Sequence, residues 1–195
     1  NQIMSVFDAT IGTGIELIHV RQEAAAVHMA DAWGRLTGQP GVALVTAGPG
    51  FTNTLTAMYV AAMAESPLVV LSGCSPAARD GHGAFQEMPQ ARIAGEIAKA
   101  SWTASDPAGL GYDLVRAMRL ARSGRPGPVH IALPGDILSV SVNGEAPAGP
   151  TSEDAQPVVS LLDRESADAI LGQVAEAKRP LIVGGPMLAH HAGRE

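Results

Sequence analysis

The sequence predicts an α/β fold: a doubly wound parallel sheet with helices on both faces. Short runs rich in Val, Ile and Leu recur along the chain, and most are continuous rather than alternating, as in strands buried on both faces. Longer helix-like segments separate these runs, and this alternation is typical of a parallel sheet. Gly38 and Gly124 follow two of the longer segments, where helix C-termini favour glycine.

The predicted elements begin with a strand and then alternate. The strand candidates are short apolar runs, at 15–20, 41–46, 68–72, 129–133 and 181–184. The helix candidates lie between them, at 22–36, 53–64, 108–123 and 164–177. In the third helix, Leu110, Leu114 and Met118 share one face, while Asp113 and Arg116 lie largely on the other.

The composition changes after residue 142. The stretch "NGEAPAGPTSEDAQP", residues 143–157, has no hydrophobic period and is rich in Pro, Gly and acidic residues, as linkers are. We therefore expect a first domain at 1–142, a linker at 143–157 and the beginning of a second α/β domain at 158–195. At the N-terminal end, no strand is evident before the one at 15–20. At the C-terminal end, one strand with one helix cannot bury a core. We interpret the chain as a fragment, cut within both domains.

Composition and charge argue against several classes of function. A formal net charge of -6 is unfavourable for contact with a phosphate backbone, and 4% aromatic residues leave few rings to stack on bases. We therefore expect no nucleic-acid partner. The most apolar stretch, 55–73, is interrupted by Glu65, Ser66 and Pro67, so we expect no membrane span. The single cysteine, Cys74, excludes an internal disulfide and favours a reducing, cytoplasmic location.

A glycine-containing turn, "TAGPGFTN" at 46–53, follows one predicted strand and precedes a helix. It is a candidate phosphate cradle, because helix N-termini with nearby glycines bind anions. It matches neither GxxxxGK[ST] nor GxGxxG, however. The spacing alone favours a tight strand-to-helix turn whose backbone is set by Pro49 and Gly50.

Glu23 is a single carboxylate at the start of a helix that is otherwise small and apolar. Its position has a purely structural explanation, because the helix macrodipole favours an acidic residue in the first turn by roughly 0.3–1 kcal/mol. A chemical role is the alternative, and position alone does not decide between them.

The polar segment "DGHGAFQEMPQ", residues 80–90, follows a predicted strand. Parallel sheets place ligands beyond the carboxyl ends of their strands. Phe85 and Gln86 are therefore candidates for contact with a substrate, and a solvated loop is the alternative.

Separated blocks of the sequence occur together, in this order, in one known family. The blocks are "RQEAAAVHMADAWGRLTGQPGVALVTAGPGFTN", "SPLVVLSG", "GAFQEMPQ" and "SGRPGPVHIALPGDI". Together they resemble the pyrimidine-binding domain of the thiamine-diphosphate-dependent enzymes related to acetolactate synthase, over about residues 5–142. Within that family, "GAFQEMPQ" and "SGRPG" look most like the branch of 2-hydroxyacyl-CoA lyase and oxalyl-CoA decarboxylase.

The resemblance implies that thiamine diphosphate is the cofactor. It makes Glu23 the catalytic residue, hydrogen-bonded to a ring nitrogen of the cofactor's aminopyrimidine, and places Phe85 and Gln86 on the substrate side. The residues implied in cofactor binding, besides Glu23, lie in and after the glycine turn: Gly48, Pro49, Gly50 and Asn53.

The resemblance also implies a divided site. The family binds the diphosphate and Mg²⁺ through a separate domain with a GDG motif, which these 195 residues lack. We therefore expect no metal ligands in this segment and no turnover by the segment alone. A homodimer or homotetramer with active sites at the subunit interface is expected. The apolar helix at 53–64, with Leu55, Met58, Tyr59 and Met63, is a candidate for part of that interface, and packing on its own sheet is the alternative.

The activity expected from the resemblance is that of a thiamine-diphosphate-dependent lyase. It would cleave a small-molecule substrate, a 2-hydroxyacyl-CoA, to formyl-CoA and an aldehyde or ketone. One alternative is an acetolactate synthase-type enzyme, which decarboxylates and condenses 2-keto acids. An alternative of another class is a non-catalytic, nucleotide-binding α/β module.

Overall fold

A single parallel sheet forms the centre of the protein. The computed structural model describes residues 2–142 and 149–185. Its strands are β1 Gly41–Val45, β2 Leu68–Cys74, β3 Ala100–Thr103 and β4 Pro128–Pro134. They pair in the order β1-β2-β4-β3, and every pair is parallel.

Helices pack on both faces of this sheet, which confirms the predicted doubly wound α/β fold. Their bounds are α1 Met4–Thr10, α2 Glu23–Thr37, α3 Pro49–Thr52, α4 Leu55–Met63, α5 Gln90–Gly95, α6 Leu110–Arg122, α7 Gly135–Leu138 and α8 Arg164–Glu176. Short 3-10 turns lie at Ala77–Arg79 and Pro107–Gly109. Side chains of α2, α3, α4 and α5 form one core with the first face. The second face packs mainly against α6.

The two central strands explain why their sequences read as continuous apolar runs. Every residue of β4 is buried, as is every residue of β2 except the half-buried Leu71. Strands covered on both sides by helices have no solvent face and so need no polar alternation. Two polar side chains, Ser72 and His130, are nevertheless 0% exposed within these strands.

The packing of α2 against β1 requires glycine at position 41. A Cβ added to Gly41 would stand 2.0 Å from the carbonyl oxygen of Ala30, far inside van der Waals contact. Gly41→Ala is therefore expected to lower the free energy of unfolding by about 3 kcal/mol, because helix and strand must separate. Gly95→Ala is the control, since a Cβ there meets nothing within 4 Å. Chemical unfolding of the full-length protein would contradict this packing if the two variants were equally stable.

The strand predicted at 15–20 is wrong. These residues have no regular structure, and their apolar side chains are exposed, with Ile15 at 62% and Ile18 at 68%. A strand exists only where a neighbour satisfies its N–H and C=O groups, and apolar content does not supply that neighbour. The strand predicted at 181–184 is wrong in the same way, with Leu181 at 87% exposure.

The structure also contains elements that the sequence pattern did not predict. The strand β3 has only four residues, and its half-buried or exposed side chains give no hydrophobic signal. Its pairing with β4 defines it. The helices α1 and α5 are one to two turns long and carry no clear period. The helix predicted at 53–64 is α4, Leu55–Met63, and the short helix before it, α3, was not predicted.

Residues after the sheet domain pack sparsely. The part of the predicted linker at 143–148 lies outside the described residues, and 149–157 contains turns. The helix α8 has no buried residue along its described length. The backbone N–H of Val158 donates to Ser123 Oγ at 3.0 Å, which ties this segment to the end of α6. The predicted domain boundaries remain a proposal.

Candidate cofactor site

The loops that leave β1 and β2 converge on the start of α2. Gln22 caps this helix, because its side-chain oxygen accepts the Ala25 N–H at 3.1 Å. Glu23 is the first helical residue and is half-buried. Asn53, in the turn after β1, donates its side-chain amide to Glu23 Oε2 at 2.9 Å. Residues separated by 30 positions in the chain thus meet at one carboxylate.

The glycine turn is shaped by backbone and by space. Gly48 has φ +58°, a left-handed conformation that favours glycine. A Cβ at residue 50 would stand 2.6 Å from Thr46 Cγ2 and 3.5 Å from Glu23 Oε1. Thr46 occupies the place of a side chain at Gly50, so glycine lets the backbone of the turn come close to the second carboxylate oxygen. This segment can be a tight turn and also contribute to a binding site, so the two interpretations are compatible.

This arrangement fits the aminopyrimidine of thiamine diphosphate. A carboxyl group can hydrogen-bond a ring nitrogen, and glycine at position 50 lets the backbone of the turn lie next to Glu23. Asn53 holds Oε2 in one direction, so Glu23 is oriented before any ligand binds. The structure thus brings Glu23, Gly48, Gly50 and Asn53 together. Pro49, the first residue of α3, is exposed beside them.

Gln86 lies against the turn, and Phe85 does not share its surroundings. A Cβ on Gly48 would be 3.0 Å from Gln86 Cβ. Gln2 bridges the two loops: its amide donates to Gln86 Oε1 at 3.4 Å, and its own oxygen accepts from Thr46 Oγ1 at 3.2 Å. Phe85 is 81% exposed, in a shallow surface depression with Pro76 and Arg79 among its walls.

The loop that carries these residues is held by Glu87. Its two carboxylate oxygens accept backbone N–H groups, from Ala84 at 2.8 Å and from Gly81 at 2.7 Å. These donors favour the ionised form and lower the pKa of Glu87. Gln86, next to it, has φ +60°, which is strained for a residue with a side chain. The 80–90 loop is therefore held by its own hydrogen bonds, and the contact of Phe85 and Gln86 with a substrate stays a prediction.

A buried polar chain behind the turn was missed by sequence reasoning. Gln90 is 2% exposed and contacts both Gly48 and Ser72, and Ser72 contacts His130. The available signal was a histidine inside the apolar run "PVHIALP", because buried polar groups need partners. That signal does not say which partners they are.

A cavity of about 380 Å³ opens at the carboxyl edge of the sheet, with Gln90 in its wall. Cys74, Asp80, Met88 and Arg92 are among its lining residues. Burial, with smaller contributions from Asp136 and Asp80, raises the pKa of the Cys74 thiol to about 12. The thiol is therefore protonated at neutral pH, and nothing in this environment makes it a nucleophile.

Two kinds of feature are absent from the described ranges, 2–142 and 149–185. Neither range contains three His, Cys, Asp or Glu side chains grouped so that they could hold a metal ion. No described helix is both long and apolar enough to cross a membrane.

Comparison with known proteins defines the class. Residues 1–93 match the family model described as "Thiamine pyrophosphate enzyme, N-terminal TPP binding domain". This match confirms the resemblance found in the sequence, and thiamine pyrophosphate is thiamine diphosphate. Residues 1–93 are therefore similar to the N-terminal domain of the thiamine pyrophosphate enzymes.

Three relatives show which members of this class the chain is similar to. It is 45% identical over 139 residues to acetolactate synthase isozyme 3 large subunit of Escherichia coli (strain K12), covering 70% of this chain and 24% of the relative. It is 46% identical over 124 residues to 2-hydroxyacyl-CoA lyase 2 of Xenopus laevis, covering 64% and 19%. It is 34% identical over 185 residues to oxalyl-CoA decarboxylase of Escherichia coli (strain K12), covering 93% and 33%. The chain thus spans a third or less of the length of each relative.

Proposed function

We propose that this domain holds the aminopyrimidine of thiamine diphosphate, with Glu23 as the catalytic residue. The contact that carries the proposal is the hydrogen bond from Asn53 to Glu23 Oε2 at 2.9 Å, next to the closely packed turn at Gly50. When bound, thiamine diphosphate supplies a nucleophilic thiazolium carbon and an electron sink. Glu23 would share a proton with the pyrimidine ring nitrogen, and the turn at Gly48, Pro49 and Gly50 would help to hold the ring.

The diphosphate and Mg²⁺ are proposed to bind to another domain of the full-length protein. In this arrangement the present chain acts on the pyrimidine alone. The single cysteine supports a reducing, cytoplasmic location.

We propose cleavage of a carbon–carbon bond in a 2-hydroxyacyl-CoA, giving formyl-CoA and an aldehyde or ketone, as the overall reaction. The 46% identity to 2-hydroxyacyl-CoA lyase 2 and the "GAFQEMPQ" loop support it. Acetolactate synthesis from 2-keto acids is the second candidate, which the longer match at 45% identity favours.

A substrate panel tests the choice. The full-length protein, with thiamine diphosphate and Mg²⁺, is expected to release formyl-CoA from 2-hydroxyacyl-CoA substrates. Release of acetolactate from pyruvate instead would establish the second candidate. If the full-length protein bound no thiamine diphosphate in a calorimetric titration, the non-catalytic module would replace both.

Gln86 is proposed to face the substrate, because it lies in the loop after β2 and packs against the turn at Gly48. The diphosphate is proposed to bind to another domain. Gln86→Asn keeps an amide in a residue type that tolerates positive φ. We expect it to change kcat or substrate preference at least about tenfold while the affinity for thiamine diphosphate stays within about twofold. Phe85→Ala, at the exposed neighbouring position, is expected to follow the same pattern with a smaller effect. Equal losses of cofactor affinity and turnover would place these residues on the cofactor instead.

The assembly is proposed to be a homodimer or homotetramer with shared sites. The helix at 53–64 was predicted to contribute Leu55, Met58, Tyr59 and Met63. Met58 is 0% exposed and Leu55 packs on the core, so these two do not face outward. Tyr59 at 55% and Met63 at 60% are exposed, and they support an interface on this helix.

A further inference from the structure

Gln90 uses both ends of its side-chain amide inside the protein. Its Oε1 accepts the Gly48 N–H at 2.9 Å, and its Nε2 donates to Ser72 Oγ at 2.7 Å and to the Gly73 carbonyl at 2.9 Å. The orientation of the amide is fixed by chemistry, because a backbone N–H only donates and a carbonyl only accepts. Gln90 begins α5 and therefore connects this helix, the strand β2 and the glycine turn.

The chain of hydrogen bonds continues across the sheet. Ser72 Oγ lies 2.8 Å from His130 Nε2, and His130 Nδ1 lies 2.8 Å from Ser101 Oγ. Ser72 already accepts from Gln90, so it can donate its own proton to Nε2. The Nδ1 atom then carries the ring proton and donates it to Ser101. Burial lowers the pKa of His130 to about 4, which agrees with a neutral ring.

The chain lies on one face of the sheet. His130 is in register with Ser101 on β3 and with Val70 on β2, two residues before Ser72. All three polar residues therefore point to the same side. The ring of Phe51, from the helix α3 of the glycine turn, packs on His130 with centroids 5.0 Å apart. The turn is thus supported twice, by a hydrogen bond at Gly48 and by ring packing at Phe51.

Such a chain is costly unless every member has a partner. A buried hydroxyl or amide without a hydrogen bond destabilises the fold, and apolar residues would fill these strands without that cost. Gly48 is itself buried, and its N–H points to Gln90. The chain therefore ends on the N–H of Gly48, the left-handed residue of the turn.

We propose that Gln90 is a positioning residue for the cofactor-binding turn, and that Ser72, His130 and Ser101 fix its direction. The inference rests on the proposed function, since the ligand of the turn is taken to be thiamine diphosphate. The hydrogen bond from Gly48 to Gln90 fixes the start of the turn. The turn then keeps Gly50 and Asn53 beside Glu23. No member of the chain touches the cofactor.

A pair of serine variants of the full-length protein tests this. Ser72→Ala removes a link of the chain. Ser66→Ala is its matched control, because Ser66 is equally buried and donates one hydrogen bond, to the Asp31 carbonyl at 3.1 Å. Both should lower the melting temperature. Only Ser72→Ala should weaken thiamine diphosphate binding, by about tenfold in a calorimetric titration with Mg²⁺ present. Gln90→Leu should weaken it at least as much.

Deuterium exchange without cofactor separates this inference from the proposed function. Peptides covering 46–53 should take up deuterium faster in Ser72→Ala and Gln90→Leu than in Ser66→Ala or the unchanged protein. If the full-length protein binds no thiamine diphosphate, the proposed function fails, yet exchange still reports on the turn. The inference is overturned if Ser72→Ala leaves exchange and affinity unchanged, or if Ser66→Ala alters both equally. If Gln90→Leu does not fold, the serine pair decides.

Discussion

Glu23→Gln in the full-length protein is expected to reduce kcat by about 10²–10⁴-fold, the usual contribution of a positioned proton-transfer group. The replacement is nearly isosteric, and an amide oxygen can still accept from Asn53, whose Nδ2 lies 2.9 Å from Glu23 Oε2. The fold should therefore remain intact by circular dichroism. Cofactor affinity should fall far less than turnover, since other contacts of the cofactor persist.

Glu165→Gln is the matched control for this substitution. Glu165 also lies in the first turn of a helix, α8, where it gains the same macrodipole interaction. If Glu23 served only the helix, the two variants would behave alike and both would retain activity. We expect Glu165→Gln to be fully active, and a comparable loss of turnover in both variants would remove the chemical role of Glu23.

Two inactive variants of the full-length protein are expected to restore activity when they are co-expressed. One carries Glu23→Ala, and the other has the aspartate of the expected GDG motif replaced. If the pyrimidine is held by one subunit and the diphosphate by its neighbour, a hybrid dimer contains one site with both intact halves. Each variant alone has none. The measurement is turnover by purified hybrids, isolated with a different affinity tag on each variant.

Inactive hybrids would contradict the shared site. They would mean that Glu23 acts on a cofactor held entirely by its own chain. Tyr59 and Met63, exposed on α4, allow a second test of the shared site. Replacing both by Lys should dissociate the assembly in sedimentation analysis and abolish activity, whereas an intact assembly would place the interface elsewhere.

The sheet could be predicted from the sequence because its central strands are covered on both faces. The runs around Val70 and Ile131 are mostly apolar, and helix-like segments separate them. Residues 15–20 are also rich in Ile, Leu and Val, but no strand forms there. Composition reports whether a segment can be buried, and pairing depends on a neighbour that the segment itself does not encode.

The site was predicted unevenly for a related reason. The family resemblance predicts Glu23, Gln86 and the glycine turn as parts of the site, and all of them lie close together. Phe85 is predicted together with Gln86 because both lie in the loop that follows β2, yet Phe85 is 81% exposed. Gln90 was not chosen, because its importance lies in three contacts to residues between 17 and 42 positions away. Long-range hydrogen bonds of this kind leave no local pattern.

The central claim is that the carboxyl of Glu23 activates the cofactor, and proton exchange at the thiazolium carbon tests it most directly. The full-length protein, loaded with thiamine diphosphate and Mg²⁺, is mixed with D₂O, quenched with acid and analysed by NMR. We expect fast exchange in the unchanged protein and in Glu165→Gln, and exchange slowed by orders of magnitude in Glu23→Gln. Exchange at the unchanged rate in Glu23→Gln, with the cofactor bound, would contradict the account.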